Sequence, residues 1–423
     1  MIESIRLIDF KNFADATLTI GPFTVIIGTN ASGKSNIRDA FRFIHGIGRG
    51  YTLAEIIGGR YGAGGQAEWA QLRGAASEIV RFGQEQFEIQ VRLRISRTNY
   101  TYVIRVSTDL SSRGGFRVVR EELKNWAGWI FTSHPGHGDP VSRQEDESHL
   151  LLRMDKTGNQ RKYGLQIAVR PDQPALTQIA NFQKVVRAHK EIARQVAGAL
   201  ESIRFLDLVP EAMRKPAFPG QSTLGDSGEN LPTVLQGICA DQRKSIVLRD
   251  WIRELTPMDV EQLEFPKDPI TGLVQLAFRD RAGNSTSAYS ASDGTLRFLS
   301  MLAALLGEEA SELYFFEEID NGIHPTRLRL LLDLIEARTE SGNLQVVTTT
   351  HSPDLLSMIR EQTFENTSVV FRLQGSEAAD IRLVKDLRKA ESLRISQGLG
   401  RLHATGWLED ALEFEAAAAD EVA

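Results

Sequence analysis

Three short stretches hold residue types whose spacing suits chemistry on a phosphorylated nucleotide. Gly28-Thr29-Asn30-Ala31-Ser32-Gly33-Lys34-Ser35, continued by Asn36, fits G-x-x-x-x-G-K-[ST] at every specified position. Gly28 and Gly33 let the backbone curl, so that successive N–H groups face inward around phosphate oxygens. The helix that opens behind them adds the positive end of its dipole. Lys34 is then placed to reach the β- and γ-phosphates, and the Ser35 hydroxyl to ligate Mg²⁺. Such a loop needs an acid on its metal side, carried by a neighbouring strand. "ELYFFEEID" supplies Glu317 and Glu318 after four apolar or aromatic residues. Alternation along a strand sends successive side chains apart. Glu317 is therefore assigned to the metal shell, through water, and Glu318 to the attacking water as general base.

"TTTHSPD" closes the next predicted strand and sets His351 within reach of a γ-phosphate. A lone histidine is more often structural, but this one follows a buried strand directly, as Glu317 and Glu318 do. Ligands in open α/β sheets sit beyond the carboxyl ends of the strands. In "SASDGTLRFL", Ser292, Asp293, Gly294 and Thr295 precede a helix. They serve as its N-cap, or present a second helix N-terminus to a nucleotide, and the two roles are compatible.

The surrounding pattern supplies elements to hold these groups. Ile5, Leu7, Ala16, Leu18 and Ile20 alternate on one strand face, with "DFKNF" as a turn or bulge between two runs. Phe23 to Ile27 reads as a buried parallel strand. Ile37, Ala40, Phe41 and Ile44 make a helical stripe. Gly46 to Gly65 reads as loop. Phe87 to Ile95 alternates strictly and predicts an antiparallel partner at Tyr100 to Val106. One helix is predicted over Leu176–Phe205 and another over Thr233–Leu255, with a hairpin turning at Arg281–Asn284. Helix, strand, helix and two strands then follow from Gly294 to Leu373, with Pro325 opening the second helix. The closing helix is "LGRLHATGWLEDALE", and the acidic end from Glu409 reads as a fraying end or solubilising tail.

Composition narrows the class. The single Cys239 excludes an internal disulfide framework and a cysteine-only metal site. No apolar run approaches the ~20 residues of a membrane span, and MIESIRLIDF lacks a signal-peptide layout. A cytosolic protein without membrane association is expected. The net charge is −6, yet Leu151 to Gly220 holds 12 Lys/Arg against 6 Asp/Glu. That excess suits a nucleic-acid backbone, and equally a solvated helix face or a surface for an acidic partner. His134, His137 and Asp139 lie in a Pro/Gly loop that gives a metal site no support.

Taken together, Gly28–Ser35, Ser292–Thr295, "FFEEIDNGIHP" and "TTTHSPD" resemble, in order, the motifs of ATP-binding-cassette ATPases of the SMC/RecF-like kind. "KSNI.DAF.FI", "SDGTLRFL" and "HSPDLL" are similar to bacterial "AAA family ATPase" proteins, relatives of the ATPase half of overcoming-lysogenization-defect nucleases. The likeness covers roughly the first 50 residues and the chain from about 222 onward.

The resemblance implies an α/β P-loop ATPase head: a mixed sheet with flanking helices, an antiparallel β subdomain and a mainly helical insertion. The expected parts are 1–130, an inserted arm at 131–225, and 226–423. It further implies ATP and Mg²⁺ as ligands and Ser292–Thr295 as a signature loop. Asp320 falls in the loop after the catalytic acid, and His351 is the switch histidine. Two heads would close face to face over two nucleotides, making a homodimer.

Glu317 stands where most such ATPases have aspartate, which suggests slow turnover. Gln66, Gln71 and Gln84 are candidates for the metal-contacting glutamine. No lasting heptad pattern or zinc-hook cysteine pair accompanies the insertion, so a compact arm is expected rather than a rod. About 70 residues follow His351, short of the ~100 typical of a domain. A nuclease effector would therefore be a separate protein. The leading reading is a nucleotide-driven switch in phage defence or DNA repair. The alternatives are a membrane transporter's ATPase subunit and an ATP-binding scaffold without turnover.

Overall fold

β1 (Ile2–Phe10) and β2 (Phe13–Thr19) alternate as their residues demand, burying Ile5 and Leu7, then Ala16 and Leu18. The computed structural model to which they belong describes residues 1–29, 32–108, 115–133, 149–154, 165–255, 260–307 and 312–420. β3 (Phe23–Ile27) is buried at every residue, as a parallel strand covered on both faces must be. α1 (Lys34–Gly48) turns Ile37, Ala40, Phe41 and Ile44 inward. The loop predicted over Gly46–Gly65 contains more structure than its glycines suggest. α1 runs to Gly48, α2 (Leu53–Gly58) follows, and β4 (Arg60–Tyr61) pairs with β5 (Ala67–Trp69). Thr52 and Glu55 start α2 with a reciprocal capping box, for which "TLAE" is the sequence signature.

An antiparallel meander comes next, in β6 (Gln86–Ile95), β7 (Thr98–Ser107), β8 (Arg117–Asn125), β9 (Gly128–Thr132), β10 (Leu150–Met154) and β11 (Leu165–Val169). β6 and β7 pair as predicted, with Ile89 opposite Ile104 and Val91 opposite Tyr102. With β1 and β2 they form an eight-stranded sheet, ordered β11-β10-β9-β8-β7-β6-β1-β2.

α3 (Ala175–Gln178), α4 (Arg187–Glu201), β12 (Ile203–Leu206) and α5 (Pro210–Met213) follow. The helix predicted over Leu176–Phe205 is therefore interrupted. The stiff β-branched pair Val185-Val186 leaves the helix: Val186 is extended, with ψ 146. Val185 stays buried. Between 131 and 225 the described residues hold more helix than strand, while β10 and β11 prolong the antiparallel sheet and β12 edges the second one.

α6 (Leu231–Ala240) and α7 (Gln242–Leu255) divide what was predicted as one helix. The Asp241 carboxylate accepts from the Arg243 and Lys244 N–H groups and caps the second helix. β13 (Val260–Glu264), β14 (Ala277–Asp280) and β15 (Ser285–Ser287) form a small sheet, turning at Arg281–Asn284 as expected.

The remaining elements are α8 (Asp293–Leu306), β16 (Leu313–Phe316), α9 (Pro325–Glu340), β17 (Gln345–Thr349), α10 (Pro353–Met358), α11 (Glu361–Phe364), β18 (Thr367–Phe371), β19 (Asp380–Leu383), α12 (Ala390–Gln397), α13 (Leu399–Ala404) and α14 (Trp407–Asp420). The predicted closing helix is thus two, parted at Gly406 with φ 75. The acidic end is helical to Asp420, and Glu415 accepts from the Arg382 side chain and the Arg388 N–H. Among the described residues no helix is long and apolar enough to cross a membrane.

The second sheet runs β12-β16-β17-β3-β18-β19, parallel except for β19. Alternation divides its side chains between two cores. Ile26, Leu313 and Phe315 join the antiparallel sheet, α1 and α4. Val25, Ile27, Tyr314 and Phe316 face α6, α8 and α9. Buried Gln345 ties the sheets together, accepting from Ile2 N–H at 2.7 Å and donating to the Ile2 carbonyl at 2.8 Å. At the end of α1, Gly48 abuts α4, where an added Cβ would meet the Glu201 nitrogen at 2.4 Å.

Glu121 on β8 is fully buried and accepts from Tyr102 Oη at 2.9 Å and from the Ala175 and Leu176 N–H groups at 2.6 and 2.8 Å. Burial pushes its carboxyl up to about 7 from 4.5, against those hydrogen bonds. The folded state therefore binds the proton more tightly than the unfolded chain, and this contribution is lost as pH rises from about 4.5 through 7. Glu121→Gln removes the term. The stability difference between variant and wild type, read by urea unfolding, is expected to move in the variant's favour by about 2–3 kcal/mol between pH 5 and pH 8.

Candidate functional site

The site is assembled where β3, β16 and β17 end together. Their parallel register pairs Phe316 with Thr348, and Thr349 with Ile26. The three loops that carry candidate residues therefore open at one sheet edge.

From β3, the chain turns through Gly28 (φ 150) and Gly33 (φ 121), a region L-residues rarely adopt. Space closes both positions as well. A Cβ on Gly28 would lie 2.2 Å from the Val370 carbonyl, and one on Gly33 2.8 Å from Asn12 Nδ2. Asn30 and Ala31 lie outside the described residues. Thr29 precedes them; Ser32 is buried, and its Oγ finds no partner among the described residues. Asn12, in the β1–β2 turn, donates to the Ser32 carbonyl at 3.1 Å and accepts from Asn36 at 2.7 Å. The antiparallel sheet thus buttresses the loop directly.

Lys34 is buried, and its Nζ donates to the Gly28 and Thr29 carbonyls at 2.5 and 2.8 Å. Burial lowers its ammonium to about 8, with the Glu318 charge acting in the opposite direction.

β16 stops at Phe316, so Glu317 and Glu318 stand just beyond the strand. Their divergence comes from a turn and not from strand alternation. Glu318 has φ 49, and its N–H donates to Thr349 Oγ1 at 3.1 Å. A non-glycine residue held there stores local strain, a feature that concentrates at functional sites. Glu318 Oε1 lies 3.9 Å from His351 Nε2. Burial lowers the His351 pKa, helped by Lys34 and opposed by Glu318. Asp320 accepts from Thr350 Oγ1 at 2.6 Å, pinning the loop after Glu318 to the end of β17.

Glu317 turns toward α1. Ser35 Oγ is 3.5 Å from its Oε1. Arg73 Nη2 donates to both carboxylate oxygens, at 3.0 and 2.7 Å, and Arg38 Nε lies 3.6 Å away. Arg38 also pairs with Asp207. A hydroxyl and a carboxylate are hard oxygen donors, and Mg²⁺ takes few protein ligands alongside waters and phosphate oxygens. Among the described residues no three His, Cys, Asp or Glu side chains are grouped to hold a metal by themselves. The pair Ser35 and Glu317 fits a cation that arrives with a phosphate.

Ser292 caps α8: its Oγ accepts from the Thr295 N–H at 3.2 Å and lies 2.8 Å from Thr295 Oγ1. Arg327 donates to Thr295 Oγ1 at 2.9 Å, and Arg214 pairs with Asp293 at 2.5 Å. Among the described residues no hydrogen bond or ion pair joins Ser292–Thr295 to Gly28–Asn36. Gln66, Gln71 and Gln84 make no hydrogen bond to Ser35, Glu317 or Glu318 either, although Gln71 stands two residues before Arg73. His134, His137 and Asp139 lie outside the described residues. Within the middle segment Arg170 pairs with Asp172 and Arg194 with Glu191, and Arg204 pairs with Asp226 just beyond it.

Sequence patterning does not single out Arg73, Asn12 or Thr349. Arg38 alone carries a signal, three residues after Ser35 on the same helix face.

A family described as "AAA domain, putative AbiEii toxin, Type IV TA system" matches residues 23–160 and 170–357. An ATP/GTP phosphatase of Helicobacter pylori is 36% identical over 389 residues, spanning 89% of this chain and 93% of that protein. The DNA replication and repair protein RecF of Allorhizobium ampelinum is 26% identical over 238 residues, 52% of this chain and 58% of that one. Among solved structures, an SmcHead bound to the C-winged helix domain of ScpA aligns with TM-score 0.49 at 15% identity, covering 90% of this chain and 97% of that chain.

Gly294 fixes how α8 meets the loop after Glu318, since an added Cβ would lie 2.1 Å from the Gly322 carbonyl. Gly294→Ala must push one backbone segment away. A loss of about 1–3 kcal/mol in urea unfolding is expected.

Proposed function

The chain belongs to this AAA-domain family of SMC/RecF-like, ABC-type ATPases, and from that premise we propose an ATP hydrolysis cycle that works as a dimerisation switch. The single observation that carries the reading is the convergence of Lys34, Ser35, Glu317, Glu318 and His351 at one sheet edge.

In this reading, the phosphate loop N–H groups from Gly28 to Asn36 and the Lys34 ammonium bind the triphosphate. Lys34 already sits among loop carbonyls, so exchanging them for phosphate oxygens gives a buried cation a stronger counter-charge. Ser35 and Glu317 hold Mg²⁺, which supplies charge neutralisation on the β- and γ-phosphates. Glu318, turned away from Glu317 by its left-handed backbone, takes the proton of the attacking water. Burial lowers the His351 pKa, and its ring presents an N–H donor to the γ-phosphate side.

Ser292 to Thr295 sit at an N-terminus whose hydroxyls are held by the cap and by Arg327. They bind the nucleotide of a second copy. Two nucleotides then hold two heads together until hydrolysis releases them, a shift between closed and open populations. The output acts on a separate effector, a nuclease or other toxic partner. The toxin–antitoxin wording attached to the family favours this setting over a transporter. Glu317 in place of the commoner aspartate favours slow turnover.

Glu318→Gln leaves the binding groups in place and removes the base. A fall of about 10²–10⁴-fold in single-turnover hydrolysis is expected, with retained nucleotide affinity and an ATP-dependent dimer in sedimentation. Equal rates for variant and wild type overturn the assignment of Glu318.

A further inference from the structure

Glu317 carries more positive charge than a metal-binding acid needs while it waits. Arg73 Nη2 bridges its two oxygens at 3.0 and 2.7 Å, the face a cation shell would use. Arg38 stands behind at 3.6 Å, its side chain only 7% exposed and paired with Asp207. The Arg73 side chain is 43% exposed. Of the two guanidiniums, Arg73 is the one free to leave.

Its backbone is held, whereas its head is partly exposed and bonded to Glu317. Lys11 Nζ donates to the Arg73 carbonyl at 2.7 Å and to Asp39 Oδ2 at 2.6 Å, in a buried pair with α1. Leu72 N–H donates to the Ile57 carbonyl at 3.0 Å. The loop can therefore release Glu317 by side-chain rotation alone.

We propose that Arg73 is a displaceable counter-ion, a positioning residue that keeps Glu317 aimed at Ser35 in the nucleotide-free state and competes with Mg²⁺ for it. This rests on the ATPase reading above. A guanidinium that bridges both carboxylate oxygens occupies the side that a hydrated dication approaches, and the two positive charges repel. Binding of Mg²⁺·nucleotide therefore favours departure of Arg73, and the pair raises the metal concentration that binding needs. The cost is modest because the pair is partly solvated.

The test is a Mg²⁺ titration of fluorescent ATP-analogue binding to the full chain, for wild type, Arg73→Gln and Arg73→Lys. The half-saturating Mg²⁺ concentration is expected to fall about 2- to 5-fold in Arg73→Gln, and less in Arg73→Lys, whose single charge lacks the planar fork. Backbone hydrogen exchange at residues 70–74 in the wild type is expected to stay unchanged when Mg²⁺ and the analogue are both present, because Lys11 and Ile57 hold that backbone while the side chain turns. An unchanged or higher Mg²⁺ requirement in Arg73→Gln overturns the proposal. If the wild type binds no analogue at any Mg²⁺ concentration, it is the ATPase reading that fails.

Discussion

The parallel register of β3, β16 and β17 is the constraint on which the site depends. Three strands, drawn from residues 23–27, 313–316 and 345–349, end level with one another. Each then releases a short loop at the same edge. No single loop carries a complete set of groups. Gly28–Ser35 offers donors and a cation, Glu317–Glu318 offers carboxylates, and His351 offers a titratable ring. A slip of one residue in β16 would turn Phe315 and Phe316 to the wrong cores, so the two apolar layers enforce the register. Packing energy far from the site thereby fixes its geometry.

Electrostatically the site is built around opposed pairs. Lys34 is bound by carbonyls, Glu317 by guanidiniums, and Glu318 faces His351. Each is a desolvated or partly desolvated group with a provisional partner. Exchange of partners therefore costs less than creation of a bare charge would. The left-handed Glu318 separates the two carboxylates and directs them to different neighbours.

What was legible in the sequence follows from the range over which each signal acts. The Gly28–Ser35 loop, the apolar runs at β3 and β16, the β6–β7 pair and the hairpin at Arg281–Asn284 all declare themselves within a dozen residues. Breaks inside helices were harder to see. Apolar periodicity persists from Leu176 to Phe205 although the chain turns at Phe182–Val185 and Val186 takes extended backbone, and Asp241 caps a new helix inside an apparently continuous pattern. The α2 capping box was masked by surrounding glycines. Arg73 lies 244 positions from Glu317, and Asn12 reaches the phosphate loop from another sheet. Contacts of that kind leave no local trace, because only tertiary folding brings the partners together.

The close approach at Gly48 has its own consequence. With no side chain between them, the backbone of α1 rests on that of α4, and there is nothing soft to absorb a displacement. α1 starts at Lys34, and α4 leads into the edge strand β12. The Gly48 contact therefore sets the helix that opens at the phosphate loop firmly against the middle segment, backbone on backbone.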